Sequence, residues 1–272
     1  MSGGRLAGYG AIITGAGQTP GRTIGNGRAT ALVFAREGAR VVLVDRDLDS
    51  MRATAKLVEE QGGVAVTVQG DVTVAADWEA AVATCVERFG RLDVVHHNVG
   101  VAIRDGSPTS VEQADWARNM MINSGSVLLM AQAVLPVMRA AERGVITNVS
   151  SIAAVAVGAS PGNPPIAYKM SKAAMNAATQ AMALENAGYG IRVNAIMPGL
   201  IDTPLGVDLG AAARGMDRDE YAARRHRRVP LKGGMGTAWD VANAALFLAS
   251  EEARFVTGVL LPVDGGQSAR IG

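Results

Sequence analysis

One cysteine, Cys85, occurs in the 272 residues, so no intrachain disulfide forms and no thiolate cluster can hold zinc. Around it Trp78, Ala81, Val82, Val86 and Phe89 follow an apolar helical spacing, which makes Cys85 a small core side chain rather than a reactive thiol. Aromatic residues are scarce at 4%, which leaves Ala, Val, Leu, Ile and Met to build the core. Neither sign of charge dominates. The 26 Lys and Arg against 25 Asp and Glu give a net charge of +1, and this balance argues against nucleic acid or a membrane surface as partner. No uninterrupted apolar run reaches the length of a membrane span, and the opening MSGGRLAGYG has no apolar signal core. A cytoplasmic protein is expected.

What is present is a hydrophobic content of 49% with 19% charged residues, too apolar for a disordered chain. Glycine is in excess at 33 residues and shows no collagen period. Short apolar segments alternate with longer amphipathic ones. Strands are expected at 9–14, 39–44, 64–69, 92–96, 145–149, 191–196 and 259–263, and helices at 27–37, 48–61, 78–89, 168–186 and 237–249. Residues 114–141 read as one long helix or two. This alternation predicts an α/β fold: a doubly wound parallel sheet (Rossmann fold) between two helical layers, a three-layer sandwich. No linker divides it, so residues 1–272 are expected to form a single domain.

The first strand runs into Thr14-Gly15-Ala16-Gly17, then QTPGRTIGNG, then a helix and a second strand ending at Asp45. Strand, glycine turn, helix, strand, acid is the order of a dinucleotide site. Glycines permit positive φ and close approach to a pyrophosphate, and free N–H groups at the helix start hold phosphate. Asp45 is placed to accept from the adenosine ribose hydroxyls and would repel a 2′-phosphate, which favours NAD over NADP. Arg22, Arg28 and Arg46 stand near enough in sequence to pair with such a phosphate, so NADP stays open.

Further on, Asn148-Val149-Ser150-Ser151 ends a strand, and Tyr168 and Lys172 open a helix four residues apart on one face. An ammonium near a phenol favours phenolate, which suits Tyr168 to acid–base work on an alcohol or ketone. His96 and His97 are adjacent on a strand, so they point to opposite sides and make a poor metal pair. No metal is expected.

Taken in order, these motifs resemble the classical short-chain dehydrogenase/reductase family from Ala11 to Gly266. The resemblance implies that Gly15, Gly25, Asn26 and Gly27 line the pyrophosphate and Asp45 the ribose. It places Asp71 and Val72 at the adenine, and Asn98 and Gly100 in the segment His97-Asn98-Val99-Gly100 beside the cofactor. It implies that Pro198, Gly199, Ile201 and Thr203 meet the nicotinamide, with Tyr168 and Lys172 also touching the cofactor. The implied catalytic set is Asn123, Ser151, Tyr168 and Lys172, Asn123 anchoring a water relay behind Lys172. Asn194 and Asp264-Gly265-Gly266 complete the pattern. Nine residues separate Gly15 from Gly25 where the family has three. The added residues, including Thr19-Pro20-Gly21, are expected to bulge at the surface and leave Gly25 to Gly27 near the phosphates.

Residues 200–236 are expected to form a substrate-binding lid, and Arg224-Arg225-His226-Arg227-Arg228 is the densest basic run in the chain. It reads either as an attractor for anions or as a solvated helix face or subunit contact. Opposite it, Val155, Val157, Pro161, Pro164 and Ile166 suggest an apolar pocket. The function expected is NAD-dependent interconversion of a small or cyclic secondary alcohol and its ketone. The alternatives are an NADPH-dependent 3-oxoacyl reductase and a non-enzymic nucleotide-binding scaffold. The implied partners are a small-molecule substrate and further copies of the chain, as a homotetramer or a dimer.

Overall fold

The computed structural model describes residues 4–155 and 165–270. Strand β1 (Gly10–Thr14) is buried at every position, which is why it reads as a continuous apolar run. The chain continues through α1 (Asn26–Arg36), β2 (Arg40–Asp45), α2 (Leu48–Glu60), β3 (Val64–Gln69), α3 (Ala75–Phe89) and β4 (Val94–His97). Next, α4 (Gln113–Met120) and α5 (Ser126–Ala140) are joined by a π-helical turn, Met121–Gly125. The long amphipathic stretch is thus one continuous helix with a local irregularity. Then come β5 (Gly144–Val149), α6 (Ile166–Asn186) and β6 (Ile191–Pro198). The region read from sequence only as a lid holds β7 (Ile201–Asp202), α7 (Leu209–Ala212), α8 (Arg218–His226) and β8 (Gly236–Thr237). The described chain closes with α9 (Ala238–Ala249) and β9 (Leu260–Val263).

The main sheet has the order β3-β2-β1-β4-β5-β6-β9, and every pairing in it is parallel. Strand order reverses between β1 and β4. That switch point opens the crevice at the carboxyl ends of the strands.

Alternate residues of each central strand feed two cores. Ala11, Ile13, Val41 and Leu43 join Leu32, Phe34 and Met51 with Ala242 and Leu246 of α9 on one face. Ile12, Val42 and Val44 join Trp78, Phe89, Met130, Val134 and Met175 on the other. Cys85 lies in this second core, and burial pushes its thiol up to about 12, as befits an inert packing residue. By length and composition the helix Gln113–Ala140 reaches the range of a membrane span, with mean hydropathy 1.5. Its inward side, however, is the packed row Val127, Met130, Val134 and Met138, all buried in the second core.

The two histidines separate as their strand positions require. His96 packs edge-on to Phe34 in the first core, whereas His97 packs on Trp78 and bonds Thr14 Oγ1 (3.0 Å) and Ser126 Oγ (2.8 Å). Burial drives both imidazoles down to about 3, so both stay neutral. Among the described residues no cluster of three metal-ligating side chains occurs.

At the opposite edge Asp93 ties the sheet together. Its buried carboxylate accepts from the Gly10 N–H (2.9 Å) and from Arg91 (2.5 and 2.7 Å), and Arg143 lies 3.3 Å away. Asn194 does the same between β6 and β9, donating to the Val256 carbonyl (3.0 Å) and accepting from the Val259 N–H (3.0 Å). Replacing Asp93 by Ala leaves Arg91 and the Gly10 N–H without their acceptor. Urea unfolding is expected to show a loss of about 3–5 kcal/mol.

Candidate active site

The turn after β1 is crowded at Gly15, Gly17 and Gly27. Gly15 takes φ +63°, and a Cβ on Gly27 would lie 1.9 Å from the Gly15 carbonyl oxygen and 2.8 Å from Asn98 Nδ2. Asn98 braces the same corner, its N–H donating to Thr14 Oγ1 (3.1 Å) and its Nδ2 to the Gly15 carbonyl (3.3 Å). Gly25 caps α1 without a side-chain acceptor, and no acid stands in the first helical turn. The leading N–H groups of α1 are therefore left for a ligand, and Gly25, Asn26 and Gly27 line the cleft.

The residues between Gly15 and Gly25 are held at both ends. The Gly17 N–H donates to Asp45 Oδ2 (2.8 Å), and Gln18 exchanges two hydrogen bonds with the Ser50 hydroxyl (2.6 and 3.1 Å). Gln18 then spans the loop. Its Nε2 donates to the Thr23 carbonyl (3.2 Å) and its Oε1 accepts from the Gly25 N–H (3.2 Å), which returns Gly25 to the cleft. The tip Pro20–Arg22 is exposed, but it is no free surface bulge. The Arg22 N–H donates to Asp208 (3.2 Å), its guanidinium pairs with Asp219 (2.9 Å), and a Cβ on Gly21 would meet Pro204 at 2.7 Å. The exposed tip and the return of Gly25 agree with the expectation, and the insert in addition docks on residues 200–236, because its backbone and Arg22 find Asp208 and Asp219.

One end of the cleft is lined by Asp45, Arg46, Asp47, Gly70, Asp71 and Val72, with Asn98 and Gly100 at its middle. Asp45 also accepts from the Asp47 N–H (3.0 Å) through its second oxygen. Of the three arginines considered for a 2′-phosphate, Arg22 is engaged by Asp219. Arg28 is spent on Thr54 Oγ1 (2.8 Å) and the Ser50 carbonyl (3.0 Å). Arg46 remains at this end, 3.7 Å from Asp71.

At the other end Gly100, Ser151, Tyr168, Lys172, Pro198, Gly199, Ile201 and Thr203 come together. Ser151 follows β5 and caps a short 3-10 turn by accepting from the Ala153 N–H (3.1 Å); it also hydrogen-bonds Tyr168. Tyr168 sits in the first turn of α6. That turn is fixed by Asp105, whose carboxylate accepts from the Ala167 (3.0 Å) and Tyr168 (2.7 Å) N–H groups. Asp105 was not legible as a site residue, since nothing in sequence joins an acid after β4 to a helix some sixty residues on.

Lys172 is buried. Its Nζ donates to the Val149 carbonyl (2.7 Å) and stands 5.8 Å from the Tyr168 ring centre. Burial without a carboxylate pushes the ammonium down to about 7. Burial also raises the Tyr168 phenol, against the opposing Ser151 hydrogen bond. The expected lowering of the phenol by Lys172 is thus corrected: the same desolvation weakens the charge meant to produce it. Asn123 lies behind the cleft in the π-helical turn. It bonds the Val101 N–H and carbonyl (both 2.8 Å) and Ser171 Oγ (2.9 Å), tying the loop after β4 to α6.

Beyond β6, Gly199 and Leu200 are pinned by the Val263 carbonyl (3.0 Å) and Gln267 Oε1 (2.7 Å). Thr203 accepts from the Gly206 N–H (3.2 Å). The cleft wall includes Gln18, Thr19, Leu205 and Arg225, none of which the motifs single out. Arg225 had a signal in the basic run, and Gln18 and Thr19 in the insert after Gly15; Leu205 had none. Val157, Pro161 and Pro164, expected to line the pocket, lie outside the described residues.

A family model described as Enoyl-(Acyl carrier protein) reductase matches residues 22–268. The chain is 34% identical over 267 residues to 2,5-dichloro-2,5-cyclohexadiene-1,4-diol dehydrogenase of Sphingobium indicum, covering 98% of this chain and 99% of that one. It is similar to the crystal structure of a Burkholderia xenovorans protein assigned to the short-chain dehydrogenases/reductases. That likeness has TM-score 0.91 and 43% identity, over 99% of this chain and 100% of the other. Carveol dehydrogenase from Mycobacterium avium, in complex with NAD, superposes with TM-score 0.89 and 29% identity, over 98% and 100%. The glycine turn, the Ser151–Tyr168–Lys172 cluster and these likenesses converge: the chain belongs to the classical short-chain dehydrogenase/reductase family and is an NAD(P)-dependent oxidoreductase.

Proposed function

We propose that this protein interconverts a small or cyclic secondary alcohol and its ketone with NAD as cofactor, Tyr168 acting as the acid and base. The observation that carries the reading is the position of Ser151, Tyr168 and Lys172 in the same cleft as the Gly15–Gly27 turn. The residues present fit a dinucleotide. A glycine cradle and the uncapped start of α1 suit its pyrophosphate, and Asp45 suits an unphosphorylated ribose. Asp71 and Val72 would flank its adenine, and Pro198, Gly199, Ile201 and Thr203 would meet its nicotinamide. The bound nicotinamide supplies the hydride acceptor or donor. In oxidation Tyr168 Oη takes the carbinol proton while Ser151 Oγ orients the substrate oxygen. Lys172 adds positive charge beneath Tyr168, and Asn123 positions the backbone around it.

Support for NAD over NADP comes from Asp45 and from the engagement of Arg22 and Arg28 elsewhere. Support for a cyclic or secondary alcohol comes from the dehydrogenases named above. Residues 200–236 act as the substrate lid, with a small core of Val207, Ala222, Val229 and Met235. Association into a homotetramer is supported by apolar side chains left outward on the helices, Leu128 on α5 and Leu184 on α6, and by Phe255 before β9. Light scattering of the purified protein tests it.

Tyr168→Phe is expected to lower kcat/KM for an alcohol about a thousandfold while leaving NADH affinity within about threefold. Undiminished turnover defeats the tyrosine mechanism. Oxidation by the native enzyme rises with pH and ketone reduction falls, since burial holds the proton on Tyr168. Asp45→Ser is expected to weaken NAD about tenfold in kcat/KM and to narrow the preference against NADP. An unchanged cofactor ratio overturns the assignment of Asp45.

Lys172 carries a stability cost of definite sign. Its proton is held below about 7 in the folded chain against 10.5 when free. The cost is full below pH 7, relieved as pH rises from 7 to 10.5, and absent above. Lys172→Met is therefore expected to unfold at higher urea than the native enzyme at pH 6, by on the order of 5 kcal/mol. The gap closes toward pH 10.5 and activity is lost throughout. A gap that does not change with pH contradicts this.

A further inference from the structure

The basic run of the lid divides when its contacts are followed one by one. Arg224 pairs with Glu220 (2.6 Å), and His226 Nδ1 accepts from the Met235 N–H (2.9 Å). Arg227 and Arg228 are exposed. Arg225 alone of the run turns inward and lines the cleft with Ser151, Tyr168 and Lys172. It is half-buried, and desolvation holds its guanidinium below the ordinary value.

Its contacts include a hydrogen bond to the Tyr221 side chain but no carboxylate. Nε donates to the Met235 thioether (3.3 Å), a weak acceptor, and the guanidinium lies 5.6 Å from the centre of the Tyr221 ring. A second cation, Arg214, stacks on the same ring at 5.3 Å. The five acids of residues 200–236 are all engaged elsewhere. Asp202 and Asp208 face Arg218 (2.7 and 3.5 Å), Asp219 pairs with Arg22, Glu220 with Arg224, and Asp217 caps α8. In this half of the cleft the charged lining residues, Lys172 and Arg225, are both cations. The stretch 156–164 brings no acid either, since its sequence is AVGASPGNP.

A desolvated guanidinium with no carboxylate among the described residues is costly unless a ligand answers it. Its planar fork matches carboxylate, sulfonate or phosphate oxygens. Resting on the alcohol–ketone reading of this site, we propose that Arg225 determines specificity: the substrate carries an anionic group at the end remote from its carbinol, and Arg225 recognises that group. This end of the cleft thus presents a cation to the substrate. The same chemistry would also suit the cofactor's pyrophosphate, and the experiment separates the two.

The probes are 4-oxocyclohexanecarboxylate and 4-oxocyclohexanecarboxamide, alike in shape and different in charge. Binding of each to the enzyme saturated with oxidised cofactor, where a ketone cannot react, is measured by calorimetry for the native protein, Arg225→Gln and Arg225→Lys. The carboxylate is expected to bind the native enzyme at least about tenfold more tightly than the amide. Arg225→Gln abolishes that difference by weakening the carboxylate alone, Arg225→Lys keeps part of it, and cofactor affinity is unchanged in both. Equal binding of the two probes overturns the proposal, as does an equal loss for both in Arg225→Gln. Weakened cofactor binding with carboxylate selectivity retained assigns Arg225 to the pyrophosphate and overturns it too. Reduction of each ketone by NADH is followed separately. Anion selectivity without any reduction leaves Arg225 in place and defeats the alcohol–ketone chemistry instead.

Discussion

The contact of Gly27 with the Gly15 carbonyl governs where everything else in the site can be. With a Cβ at Gly27 excluded at 1.9 Å, the start of α1 is pressed onto the end of β1, and the uncapped N–H groups are aimed at the mouth of the cleft. The segment between the two glycines has to leave and return through this one point. Added length is tolerated because Ser50 fastens its departure and Gln18 its return. Only the middle of the insert is left to settle on a neighbour, and that neighbour is the lid.

The cleft is electrically uneven along its length. Asp45, Asp47 and Asp71 make one end acidic. The other end carries Lys172 and Arg225 with no acid among its lining residues. Desolvation acts on each ionisable group at that end. It lowers the Lys172 ammonium, raises the Tyr168 phenol and disfavours the Arg225 charge.

Much of this was legible in the sequence, and the part that was not has a physical reason. Strands buried on both faces write themselves as apolar runs, so β1, β2, β4, β5 and β6 could be read directly, while the half-buried edge strand β3 showed in its valines. The spacing of Tyr168 and Lys172 is a helical one, so their common face followed as well. What escaped were partners far apart in the chain. Asp105 capping α6, Gln267 holding Leu200 and Arg22 meeting Asp219 join segments that only the folded sheet brings together. The mutual effect of buried charges also escaped, because a spacing of four residues says that Lys172 nears Tyr168 but not how dry the place is. The run at Arg224 to Arg228 was visible as a block, yet only α8 in position shows that a single member turns inward.

The docking of the insert on the lid bears on how such enzymes can be recombined. Substrate lids are natural units for exchange between relatives, since they lie between fixed strand ends. Here Arg218 within the segment already faces Asp208 and Asp219, and Arg22 in the loop after β1, nearly two hundred residues earlier, adds a second partner to each. Residues 200–236 moved alone into a relative with a short glycine turn would keep Arg218 and lose the tether from Arg22. The loop and this segment are therefore best inherited together, separated in the chain and joined in space.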